Sequence, residues 1–215
     1  MSIIFGKKRP LGEFKRVSGK AYDLVTRGDF VKHIVSVFGL ENKKAKFLNQ
    51  CKKELDFCLF NFMAESKFSG ITFTPNVVLY PDVYPAYRNY YYVNLVTMLG
   101  LMHGYMTEKG SPFKPAETVT RIQALKVILG ASELLEWRYK SDLMAELGGE
   151  KEIQKQASAF SDVDPQRPHM WWYPRYVNYA FLTGIIDFAQ EFRPDEKITQ
   201  SELDLMIEKT LRLID

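Results

Sequence analysis

Cysteine is nearly missing from this chain: there are two in 215 residues, Cys51 and Cys58. They fall in a stretch that reads as helix, where two turns separate them by roughly 10 Å, beyond the reach of a disulfide. They read as small buried apolar residues rather than a redox or metal pair, and the lack of a disulfide framework leaves the compartment open. Histidine is equally sparse. His33, His103 and His169 lie far apart in no metal-ligand spacing, no glycine-rich loop could cradle a phosphate, and no Ser or Cys sits in a nucleophile motif. These gaps argue against an enzyme and against a bound cofactor. No apolar run approaches the roughly 18 residues that cross a bilayer. At the N-terminus a few apolar residues precede the basic ones and none follow as a block, which is not the order of a secretory signal. Charge of one sign is lacking too. A net charge of +3 is too small to imply nucleic acid. The local imbalance is in residues 1–20, where Lys7, Lys8, Arg9, Lys15, Arg16 and Lys20 stand against Glu13 alone, the pattern of a solvated arm.

What the chain has is repetition. "VTRGDFVKHIV" at 25–35, "VTRIQALKVIL" at 119–129 and "ITQSELDLMI" at 198–207 each set a Thr before an apolar run, with Asp, Gln or Glu three residues later. This is the sequence form of a capping box, which predicts three helix starts at Thr26/Asp29, Thr120/Gln123 and Thr199/Glu202. Asp29 has the shortest reach, so the first box should be the weakest. Arg27 and Arg121 follow their threonines directly. A cation there opposes the helix dipole at a cost of about a few tenths of a kcal/mol. Two readings stand: free N–H groups beside a guanidinium form an anion site, or the Arg is solvated and its stem covers apolar surface.

Ahead of the second and third starts comes a second conserved order within the chain: aromatic-x-Asp-Val (Tyr80, Asp82, Val83; Phe160, Asp162, Val163), an aromatic cluster, a helix-period run, a glycine (Gly100; Gly184), then Phe-basic-Pro (Phe113 to Pro115; Phe192 to Pro194). Val93, Val96 and Leu99, and Val177, Ala180 and Phe181, fall on one face of a first helix that ends at the glycine. Ala124, Val127 and Ile128, and Leu203, Met206, Ile207 and Leu211, face inward from the second. The unit is helix, loop, helix, too small to bury its own stripes, so neighbouring units must complete the core. The first copy has only its second half, Val25 to Leu40. Residues 41–64 and 133–157 read as extra connecting helices, and residues 67–83 as a β-rich connector. The predicted fold is mainly α, divided into a basic arm (1–20), a partial first repeat with its connecting helix (21–64), a second repeat with its connecting helix (65–157) and a third repeat (158–215).

"FSDV", "WWYPRYVNYAFLTGII", "FRPDEKIT" and "QSEL" in the third copy, and "YPDV", "LVTMLGLMHGY" and "FKPAETVTR" in the second, resemble the S-layer homology repeat. The first copy matches only in "VTRGDFVKHIVSVFGL". The resemblance implies three repeats around a pseudo-threefold axis, with grooves that bind an anionic, often pyruvylated, secondary cell wall polysaccharide. It implies a non-catalytic anchor at the cell wall or cell surface, with that polysaccharide or a peptidoglycan-linked polymer as partner, other S-layer or surface proteins as further partners, and no nucleic acid. The residues themselves leave a cytoplasmic location open. Carried over by motif, the ligand residues are Arg27 and Arg121, Asp82 and Asp162, and the tryptophan position, which falls on Trp172 in the third copy. In the second copy that position is Arg88, with Tyr87 or Tyr90 as the substitute aromatic. Gln200 stands where a third Arg belongs, the glycine after Gly-Ile-Ile is replaced near Asp187-Phe188, and the resemblance then implies at most two competent grooves. A second reading, from the Tyr-rich surface, is a degenerate repeat scaffold that binds a partner protein.

Overall fold

The computed structural model describes residues 20, 22–43, 79–105, 107, 110–132 and 160–214. The basic arm short of Lys20, both cysteines, most of the β-rich connector and the two expected connecting helices beyond Lys43 and Ser132 lie outside these residues. Among the described residues the protein is mainly α. These residues hold five α-helices, α1 (Arg27–Val37), α2 (Tyr90–Met98), α3 (Arg121–Ala131), α4 (Tyr173–Leu182) and α5 (Gln200–Ile214), with a short 3-10 helix at Leu40–Lys43.

The helix starts follow the capping arithmetic. Thr120 is extended, its hydroxyl accepts from the Gln123 N–H, and the Gln123 side chain accepts from the Thr120 N–H, so the box on α3 is complete. Thr199 and Glu202 do the same for α5, at 3.0 and 3.4 Å. On α1 the Thr26 hydroxyl still accepts from the Asp29 N–H, but Asp29 turns its carboxylate to the Thr26 hydroxyl and to Arg88 and Asn89. Its shorter side chain gives the weakest of the three boxes, as predicted.

The first helix of each repeat ends where its glycine stands. Gly100 and Gly184 have φ of 70° and 76°, and the paired bonds of a Schellman turn close both ends. Gly100 N–H and Leu101 N–H donate to Thr97 O and Val96 O; Gly184 N–H and Ile185 N–H donate to Phe181 O and Ala180 O. In α2 the run "YYYVNLVTM" is rich in aromatic and β-branched residues, which are weak helix formers. Burial of Val93, Leu95 and Val96 holds it instead. Pro174 occupies the first turn of α4, where its missing N–H costs nothing.

The described residues fall into two compact units. In Val25–Thr118, α1 packs on α2; in the other, made of the segment up to Leu24 together with Val119 onward, α3 packs on both α4 and α5. The predicted inward faces are largely the buried ones, with Val93, Val96, Ala124, Ile128, Val177, Ala180, Leu203 and Ile207 all inaccessible. Leu99 and Phe181, at the edges of their stripes, are half-buried. Antiparallel bridges tie the residue before a helix to a neighbouring turn: Thr26 to Thr118 in the first unit, Thr120 to Lys197 and Leu24 to Thr199 in the second.

Candidate binding cleft

The loop that carries Phe-basic-Pro is shaped by an aspartate far back in the chain. Asp82 accepts from the N–H groups of Phe113 and Lys114 at 2.8 and 2.6 Å. Asp162 accepts from those of Phe192 and Arg193 at 2.9 and 2.6 Å. Each carboxylate spends one oxygen on each amide. The basic residue at this point has φ of 58° in Lys114 and 59° in Arg193, a left-handed conformation that costs a non-glycine residue about 1–2 kcal/mol. Two charge-assisted bonds offset that cost.

The turned loop then presents its carbonyls to a helix start. Arg27 and Gly28 N–H groups donate to Glu117 O and Pro115 O at 2.7 and 2.9 Å; Arg121 and Ile122 donate to Glu196 O and Pro194 O at 2.9 and 3.0 Å. At α5, Gln200 N–H donates to Asp23 O at 2.9 Å. The first-turn amides that the sequence offers to an anion are therefore already occupied by main chain. Alanine at Gly28 would put its Cβ 2.0 Å from the Tyr87 hydroxyl and 3.2 Å from Pro115 O, so the glycine lets the loop and Tyr87 close on the helix.

The two arginines follow one plan with different endings. Each Nε donates to the phenylalanine carbonyl of the loop, Arg27 to Phe113 and Arg121 to Phe192, both at 2.8 Å. Each guanidinium also lies over that ring, 4.7 and 5.1 Å from its centre. Arg27 is 3% exposed. It donates to His103 O and to the Tyr105 hydroxyl, and the Tyr105 ring covers it at 4.6 Å. The segment between glycine and phenylalanine is longer in this copy (101–112) than in the third (185–191), and the added length carries Tyr105. Arg121 has no such cover. Its Nη1 donates to Glu202 at 2.5 Å, and Arg193 donates to the same carboxylate oxygen at 3.2 Å. Burial lowers the pKa of both arginines, most strongly opposed by Tyr105 at Arg27 and by Glu202 at Arg121, without removing their charge. Burial also pushes Glu202 upward. The Thr199 amide and hydroxyl together with Arg121 and Arg193 outweigh it and hold the carboxylate below its ordinary range.

Beside Arg121 a cleft of about 250 Å³ opens. Its cations are Arg121, Arg193 and Lys209, and its acids are Glu202, Glu191 and Asp187. Lys209 donates to Asp187 at 2.6 Å. Phe160, Ile185, Phe192 and Met206 supply apolar wall, and Phe188, 73% exposed, stands open to solvent in the lining. Such a site offers an aromatic face and a ring of hydrogen-bonding charges, which suits a polar ligand with one flat side. Among the described residues no cluster of three or more His, Cys, Asp or Glu is arranged to hold a metal ion.

Of the residues proposed from sequence, Arg121 lines this cleft. Asp162 stands behind it, tied to the loop that forms one wall. Arg27 and Asp82 repeat those roles in the other unit. Tyr90 is buried at the start of α2. Trp172 caps α4 and is boxed edge-on by Tyr173 and Tyr176, with Lys126 over its ring. Gln200 is buried, and its amide donates to Asp204. Arg88 reaches Asp29 at 2.6 Å. Every lining residue other than Arg121 was passed over as a site residue by sequence reasoning, the polar ones that matter most being Arg193, Glu202 and Lys209. Their signal was available for two: Arg193 is the basic residue of Phe-basic-Pro, and Glu202 is the third residue of a capping box.

Residues 79–125 and 159–203 match the family model of the S-layer homology domain, two repeats in one chain. No curated protein matches the chain. Domains of this family are non-catalytic modules that attach proteins to cell-wall polymers at the cell surface. No helix among the described residues is long and apolar enough to cross a membrane.

Proposed function

From a chain that carries two S-layer homology repeats, we infer an anchoring module that holds a secondary cell wall polysaccharide, one with acid-substituted, pyruvate-bearing sugar residues, in the cleft beside Arg121. The cleft's composition and size carry this reading. At about 250 Å³ it is smaller than the roughly 300–1,000 Å³ of sites for drug-sized ligands, the scale of a terminal sugar residue rather than a long run of polymer. Phe188 offers a face to a pyranose ring, while Arg121, Arg193 and Lys209 supply donors to hydroxyl and carboxylate oxygens. Asp162 positions the loop; its two oxygens are engaged with amides and do not serve the sugar. In the other unit Tyr105 lies over Arg27, so that guanidinium acts first as a staple between loop and helix.

The test is sedimentation of the full chain with purified wall sacculi, before and after the linked polysaccharide is stripped. Retention on intact sacculi and loss on stripped ones is expected. Equal retention on both would overturn the polysaccharide reading. Exposure of Phe188 and of Leu205, which is also in the lining, favours a second reading, a repeat scaffold that docks a surface protein. In that case retention would survive stripping and vanish when the sacculi are first treated with protease.

A further inference from the structure

The geometry points to Glu202 as the residue that sets whether the Arg121 cleft prefers an acidic or a neutral saccharide. This rests on the reading of the cleft as a saccharide site. One oxygen of Glu202 accepts from Arg121 at 2.5 Å and from Arg193 at 3.2 Å. The other accepts from the Thr199 N–H at 3.0 Å and the Thr199 hydroxyl at 2.9 Å. Four donors fix the group, so it stays where a ligand carboxylate would have to sit to pair with Arg121. An acidic ligand must displace an internal ion pair or bind beside a like charge. The acid-substituted sugar proposed for this cleft meets that penalty and a neutral one does not, so Glu202 lowers the affinity for the acid without abolishing it. Lys209 is compensated in the same way by Asp187, so the lining as a whole carries balanced charge.

The capping boxes supply a clean way to remove the competitor. On α3 the same box position is Gln123, whose neutral amide completes the cap through the same two bonds. Glu202→Gln therefore keeps the start of α5 while releasing Arg121 and Arg193. Likewise Gln200 occupies at α5 the place that Arg121 holds at α3, so Arg121→Gln is a side chain that a helix start in this chain already tolerates.

The experiment is affinity electrophoresis of the full chain through gels containing polygalacturonate, a carboxylate polymer, or dextran, a neutral one. Glu202→Gln is expected to bind polygalacturonate about tenfold more tightly than wild type, the size of one charge-assisted bond freed from competition, with no comparable gain on dextran. Glu208→Gln, which makes the same change in net charge on α5 at a residue paired with Arg212, should give no gain. The double variant Arg121→Gln/Glu202→Gln should lose the gain. Glu202→Asp, which keeps a box residue as Asp29 does but shortens its reach, should move in the same direction by less. No gain in either Glu202 variant overturns the inference, as does an equal gain in Glu208→Gln or a gain that persists in the double variant. Sacculus binding is decided on the wild type alone, so either idea can fail without the other.

Discussion

Tyr179 is fully buried in α4, and its hydroxyl has no partner among the described residues. Burial pushes that hydroxyl up to about 12. An unpaired buried hydroxyl costs about 1–3 kcal/mol, so Tyr179→Phe should leave the protein as stable at neutral pH or raise its stability by about 1 kcal/mol, as read from urea unfolding. The pH dependence adds a second signature. The folded hydroxyl keeps its proton up to about 12, while the unfolded one releases it near 10.0. Its contribution is therefore complete below the unfolded value and lost as pH climbs through the folded one. The wild type should weaken above pH 10 more steeply than Tyr179→Phe. At this scale the sequence was a partial guide. Tyr179 lies beside the predicted inward face of α4, but nothing in the residue order says that its oxygen lacks a mate.

Between elements, the bond that matters is Asp162 to the amides of Phe192 and Arg193. Asp162→Ala would leave two amides without an acceptor and remove the support of a left-handed arginine. A loss of about 2–3 kcal/mol is expected, with a smaller loss for Asp162→Asn, which retains one acceptor oxygen. Thermal melts of the two variants against wild type check the order. The helix starts and ends were legible because a threonine cap and a C-terminal glycine act within four residues of where they stand. The loops were not, because their geometry depends on partners 31 and 30 residues away. A trace of the rule was present, since the Asp-to-Phe separation nearly recurs in the two copies. The left-handed turn had no trace, because Lys114 and Arg193 occupy a conformation usually marked by glycine. The same distance effect explains the arginines. Their place in the first turn suggested an anion site with open amides, whereas loop carbonyls some 70 to 90 residues on take those amides and the Nε groups.

At the scale of the molecule, the proposed retention on a wall through the Arg121 cleft depends on the fold staying closed. Urea at a concentration that unfolds the protein should release it from sacculi, whereas a non-ionic detergent, which dissolves lipid but leaves the core packed, should not. Immunoblots of the two extracts check this; release by detergent alone would point to a lipid-borne attachment. Helical periodicity was enough for the helical class, and the order of the repeated motifs for the resemblance to the family, because both are distributed over many positions. The balance of charge in the cleft was not, because it arises where the Phe-basic-Pro of one segment meets the capping box of the next.

The family repeat runs from 79 to 125, yet the boundary between the compact units falls after Thr118. What is duplicated and what folds are thus out of phase: a helix start from one copy is finished by the loop of the following copy. Trimming the gene at the repeat borders would sever Arg121 from Phe192 and leave a raw end on each side of the cut, whereas a break at Thr118 respects every hydrogen bond described for either arginine. Shuffling whole repeats among proteins would succeed only where the incoming copy brings a loop that fits its new predecessor, so the arrangement constrains how such chains can lengthen.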